Sequence, residues 1–238
     1  MLQILLMSIM LILLATFNLA ADFFQFNGHT TTELTNWLPV LLTPVVVTYG
    51  IWIILYVLLG VWIYRQTKNR HDQQNLTLRS ILFSISCLLT IAWNWLFHYE
   101  IYFWTIIVQF AQLTTLFILY LTYGKTKANW KEKLPISAFF GWSIMVCMFN
   151  VALTLKYYEW SGWGLSDPLW SVIFLTIAAA IALHFRYHYY DIAIVIIFVW
   201  TFLGIVLQNR MDELLVSAAS LFLCGVMIFG IFFIKKEA

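Results

Sequence analysis

The sequence predicts an all-α, polytopic membrane helix bundle with about eight transmembrane helices. Three observations carry that prediction. Of the 238 residues 63% are hydrophobic and only 10% are charged, whereas soluble domains average about 45–50% and about 25%. The mean hydropathy is +0.86, and the apolar residues gather into runs near the ~20 needed to cross a bilayer as a helix. Basic residues fall on alternate connections between those runs. Helices are the expected form because each satisfies its own backbone inside lipid.

The runs lie at 2–20, 42–64, 79–98, 101–123, 135–156, 168–186, 190–208 and 213–234. The first contains no charged residue. A cleaved signal peptide is its alternative reading, because Asn18-Leu19-Ala20-Ala21 places small residues near a cleavage position, although no Lys or Arg precedes the run. The second holds Pro44 near its start, and the fifth opens at Pro135. Only tight turns fit around Glu100 and between Arg186 and Tyr190, so antiparallel hairpins are expected there. The segment from Asp22 to Leu41 is long and polar and carries Gly28, which predicts a mobile lid.

Charge orients the bundle. With both termini cytoplasmic, the internal connections and ends hold Arg65, Lys68, Arg70, Arg79, Lys125, Lys127, Lys131, Lys133, Arg186, Lys235 and Lys236. The external ones hold only Lys156 and Arg210. That asymmetry follows the positive-inside rule and predicts a multi-pass protein of the cell membrane, with lipid as its surroundings. A net charge of +2 gives no footprint for nucleic acid. Cys87, Cys147 and Cys224 lie in apolar runs without a C-x-x-C pair, so they read as small buried hydrophobes.

Catalytic signatures are missing. There is no H-E-x-x-H, no G-x-S-x-G, no phosphate-binding glycine loop and no carboxylate pair within a run. No run carries a central lysine for a retinal Schiff base. His98 and His184 fall near opposite ends of the bundle, which opposes bis-histidine haem ligation. No cofactor and no metal site are therefore expected. The polar residues left inside are Thr90, Asn94, Thr105, Gln109, Gln112 and Asn150. Interhelical hydrogen bonding is their ordinary role, and orienting a ligand in an apolar pocket is the alternative.

The aromatic content is 18%, with 20 Phe, 12 Tyr and 12 Trp. An interfacial belt accounts for Trp104, Trp130, Trp160, Trp163 and Trp170. It does not account for Trp52, Trp93, Trp142 and Trp200, which sit well inside their runs. Tyr49, Trp52, Tyr56 and Gly60 share one helical face, with the glycine expected to admit a close neighbour. Trp142, Val146 and Asn150 form a second stripe. Such stripes usually serve packing, but a flat aromatic ligand would want the same surface.

The order of these residues resembles the translocator protein / tryptophan-rich sensory protein (TspO/MBR) family. The second run has a proline followed by Trp52-x-x-Leu55-Tyr56-x-x-x-Gly60. The third reads Leu89-Thr90-Ile91-Ala92-Trp93-Asn94-Trp95-Leu96-Phe97, and the fifth keeps the tryptophan-to-asparagine spacing at Trp142 and Asn150. The resemblance covers residues 1–157, a five-helix region, and leaves 158–238 as three additional helices in the same bundle. The whole is most similar to longer bacterial relatives. Ser86 and Thr90 depart from the family's Gln and Asn, and Met145-Val146 from its Phe-Ala.

The resemblance implies a receptor or sensor that binds a porphyrin or another flat apolar ligand between helices, often as a homodimer. By that implication Trp52 and Tyr56 stack on the ligand and Trp93 and Trp142 close its sides. Thr90 replaces an asparagine donor, Asn150 offers a deeper polar contact, and Trp37 belongs to the lid. A carrier or exporter subunit for a small hydrophobic solute is the alternative, with the polar face of the fourth run lining a path. An enzyme acting on a bound tetrapyrrole ranks last, because no acid–base pair lies within the membrane.

Overall fold

The computed structural model describes residues 2–67, 73–124 and 130–234. Among them every regular element is helical. The α-helices are α1 (Leu2–Phe23), α2 (Thr31–Trp37), α3 (Ile51–Gln66), α4 (Gln73–His98), α5 (Tyr102–Leu121), α6 (Trp130–Tyr157), α7 (Asp167–Tyr189), α8 (Ala193–Asn209) and α9 (Leu214–Phe233). Seven are long and apolar enough to cross a membrane, α3 together with the 3-10 turn Val46–Gly50 that leads into it. The run at 190–208 becomes α8, whose 17 residues span roughly 25 Å, short of the ~30 Å hydrocarbon core.

Several boundaries shift for physical reasons. Pro44 and the 3-10 turn Val46–Gly50 delay the start of α3 to Ile51. Polar turns extend α4 back to Gln73, where hydropathy gives no signal. Pro135 does not open the fifth span: α6 begins at Trp130 and carries the proline inside it. The tight turns fall where expected, with Glu100 (φ 59°) and Tyr190 (φ 54°) in the left-handed region that reverses the chain. Of the basic residues used for orientation, Lys68, Arg70, Lys125, Lys127, Lys235 and Lys236 lie outside the described residues, as does His71.

Helix α6 is the central helix, buried on nearly every side and packed against α3, α5 and α8. Around it α1 packs on α3 and α4, α4 on α5, and α9 on α7 and α8. Two glycines set close approaches to α8. A Cβ on Gly141 would lie 3.3 Å from the Ile194 backbone, and one on Gly204 would collide with the Thr48 hydroxyl. The Val45 amide donates to the Gly204 carbonyl at 3.0 Å, joining α8 to the segment before α3. Gly60 plays no such part, since a Cβ there would meet only Leu11 at 4.0 Å. Ala178, Ala182, Ser220 and Cys224 are buried within the chain, so these small residues serve α7 and α9 internally.

The rim residues Leu5, Ile9 and Ile12 of α1 and Phe222 and Phe229 of α9 face outward, as lipid-facing side chains do. Polar groups pair inside. Asp191, just after the α7 turn, accepts from Tyr120 OH at 2.9 Å, Ser137 Oγ at 2.6 Å and the Ile194 amide at 3.2 Å. Lys133 Nζ lies 3.5 Å from the same carboxylate and 3.9 Å above the Tyr120 ring. This buried ion pair joins α5 and α6 to the α7–α8 turn. The cysteines Cys87, Cys147 and Cys224 are free and buried.

Candidate ligand-binding cavity

A cavity of about 270 Å³ opens between α1, α3, α4, α6 and α7, beneath α2. Its size is near the lower end of the roughly 300–1,000 Å³ usual for small-molecule sites. Helix α3 and the turn before it supply Tyr49, Trp52 and Tyr56; α4 supplies Thr90, Trp93 and Asn94. Helix α6 brings Trp142 and the Met145–Val146 pair, while Phe174, Leu175 and Ala178 come from α7 and Thr201 from α8.

The helical spacing of Trp52 and Tyr56 stacks their rings, with centroids 5.6 Å apart and planes 27° from parallel. Trp142 meets Trp52 edge-on at 6.3 Å and Tyr49 edge-on at 6.1 Å. Trp93 stacks on Phe97 at 5.1 Å, which fixes its ring at the α4 wall. The indole N–H groups of Trp93 and Trp142 are buried without a hydrogen-bond partner, as is Asn94 Oδ1. Buried polar groups are nearly always paired, and several unpaired ones around one cavity among the described residues mark a surface suited to a ligand.

Polar contacts hold the walls. Asn94 Nδ2 donates to Asn18 Oδ1 at 2.9 Å, and Asn18 Nδ2 donates to the Tyr56 hydroxyl at 2.7 Å, linking α4, α1 and α3. Gln112 Nε2 donates to Thr90 Oγ1 at 2.7 Å, and Gln109 Nε2 donates to Gln112 Oε1 at 2.9 Å and the Ser143 carbonyl at 3.2 Å. The polar face of α5 is thus spent on packing against α4 and α6.

Of the seven residues singled out in the sequence, Trp52, Tyr56, Thr90, Trp93 and Trp142 line this cavity together. Two do not. Asn150 is fully buried elsewhere and accepts from Thr105 Oγ1 at 2.9 Å, because its helical register turns it toward α5. Trp37 ends α2 half-exposed, with its ring 6.4 Å from Tyr157 rather than over the cavity. The segment Asp22–Leu41 does roof the site, yet through Asp22, Thr31, Thr32 and Thr35. Seven of its residues, Thr31–Trp37, form helix α2, capped by a reciprocal Thr30–Glu33 box.

The sequence reading missed Asn18, Asp22 and the α2 threonines, although Thr30-x-x-Glu33 is a legible capping signature. It also missed Phe174, Leu175, Ala178 and Thr201, whose apolar contexts carry no mark of a site.

Comparison with known families decides the relationship. The family model described as TSPO-like protein matches residues 3–233. The chain belongs to the TSPO-like family. The match extends over the helices beyond residue 157 as well as the region before it. No curated protein and no solved structure matches the chain. Family membership and the apolar helices together make this TSPO-like chain a multi-pass membrane protein.

Proposed function

We propose that this TSPO-like protein is a receptor-like or sensory membrane protein that takes a flat apolar ligand, a porphyrin among the candidates, into the cavity beneath α2. One observation carries the reading. Trp52, Tyr56, Trp93 and Trp142 converge on a single cavity, and two of their indole N–H groups have no partner. Large rings with a few fixed polar groups are what a flat, mostly apolar molecule requires. Asn150 and Trp37 drop out of the proposed contact set, and Asn94, Met145 and Phe174 enter it. Both termini are assigned to the cytoplasmic side of the cell membrane by the basic residues, and a homodimer is its proposed assembly.

The carrier reading loses the feature that suggested it, because Gln109 and Gln112 bond to each other, to Thr90 and to Ser143. The test is quenching of tryptophan emission by protoporphyrin dimethyl ester, an uncharged porphyrin, on purified protein. Saturable quenching is expected. Trp52→Phe with Trp142→Phe, and separately Phe174→Ala, should each raise the half-saturation concentration about tenfold or more, the scale of one to two lost ring contacts. Half-saturation unchanged in both variants would remove the cavity assignment.

A further inference from the structure

We infer that the cavity selects flat organic cations: polycyclic molecules bearing a protonated amine, in preference to neutral analogues and against carboxylates. The inference rests on the cavity reading above and adds the charge of its ligand. Asp22 is the sole charged side chain among the lining residues, and no Lys, Arg or His lines the cavity. Its Oδ1 accepts from the Thr31 amide at 2.8 Å, and among the described residues no cation pairs with its carboxylate. Asp22 is exposed and stands at the mouth, where α1 ends beneath α2.

Asn18 and Asp22 are four residues apart and therefore share one face of α1. The oxygen of Asn94 left unpartnered lies beside Asn18, in a side chain only 6% exposed. An ammonium group entering here meets a carboxylate and then a buried acceptor oxygen. Beyond them lie the rings of Trp52, Tyr56 and Trp142, side chains whose π faces attract cations and disfavour anions. The unpartnered indole N–H groups of Trp93 and Trp142 call for a neutral acceptor, a carbonyl or ether oxygen, elsewhere on the same ligand.

The surroundings of the mouth agree in sign. That end of the bundle carries Asp22, Glu33, Glu100, Glu159, Asp167, Asp212 and Glu213 against Lys156 and Arg210. Lys156 is itself paired with Asp167. A mouth of one sign over low-dielectric walls raises the local concentration of the opposite charge. A porphyrin with free propionates would bring two carboxylates to this mouth without a partner for either.

The test uses one ring system with three charges: 9-(aminomethyl)anthracene, 9-anthracenemethanol and 9-anthracenecarboxylate. Each is titrated against the full chain in phosphatidylcholine nanodiscs, with empty nanodiscs as reference, following energy transfer from tryptophan. The ammonium probe should bind about five- to tenfold tighter than the alcohol, the scale of one partly solvated charge pair, and the carboxylate weakest. Asp22→Asn, which keeps the acceptor for Thr31, should bring the ammonium-to-alcohol ratio close to one. An alcohol that binds as tightly as the ammonium probe, or a tighter carboxylate, overturns the charge inference and leaves the cavity reading standing. Absence of transfer from all three overturns both. An ammonium preference unchanged in Asp22→Asn also overturns the inference, because the selection would then arise elsewhere.

Discussion

At the scale of single residues, the polar side chains inside this bundle differ in how fully protein satisfies them. Asn150 Oδ1 and Gln109 Nε2 have protein partners across α5 and α6, whereas among the described residues Asn150 Nδ2, Gln109 Oε1 and the N–H groups of Trp93 and Trp142 have none. Lys133 and Asp191 form the buried ion pair, each only about 5% exposed. Removing one member strands the other charge, whereas replacing both by apolar groups does not. Asp191→Ala should therefore lower stability by roughly 3–5 kcal/mol, and the double variant Lys133→Met, Asp191→Leu should recover most of it. Thermal unfolding in detergent, followed by tryptophan emission, reads both. Equal losses in the single and double variants would show that packing, not charge, governs the site.

At the scale of elements, α2 is the most locally specified. Its seven residues bury only Leu34 and Thr35, so the capping box matters to it. The Glu33 carboxyl lies below its ordinary 4.5, first through the Thr30 amide and then through the Thr30 hydroxyl. A depressed carboxylate contributes stability above its ordinary value, and that contribution fades as pH falls through the depressed one. Amides of Thr31–Trp37 should accordingly lose exchange protection selectively at acidic pH, after correction for intrinsic rates. In Glu33→Gln that pH-dependent component should disappear. Hydrogen exchange by mass spectrometry between pH 5 and pH 3 checks it, and identical profiles in the two proteins would remove Glu33 as the cause.

At the scale of the whole molecule, α7 and α8 complete the wall that α3, α4 and α6 begin. The Lys133–Asp191 pair and the Gly204–Val45 contact hold them there. The chain's basic residues predict both termini on the cytoplasmic side. Epitope tags at the two ends should become protease-accessible only when the inner face is exposed, as in inverted vesicles. A tag cut in right-side-out spheroplasts would reverse the assignment for that end.

The sequence by itself determined the solvent, the approximate spans and the family, because hydropathy and motif order are local properties of the chain. It also marked five of the cavity-lining residues, Trp52, Tyr56 and Trp142 on helical stripes legible from spacing and all five through the family resemblance. Tertiary structure decided the rest. Whether Thr90, Asn94 or Asn150 meets the cavity depends on which helix stands opposite, and no spacing within one helix encodes that. Asp22 read as one external acid among several, and Phe174 carried no mark in the sequence, yet the packing of α2 and α7 brings both to the cavity. Partners across a bundle are set by how helices pack, so the proposed ligand's flat shape follows from the sequence and its proposed charge only from the tertiary structure.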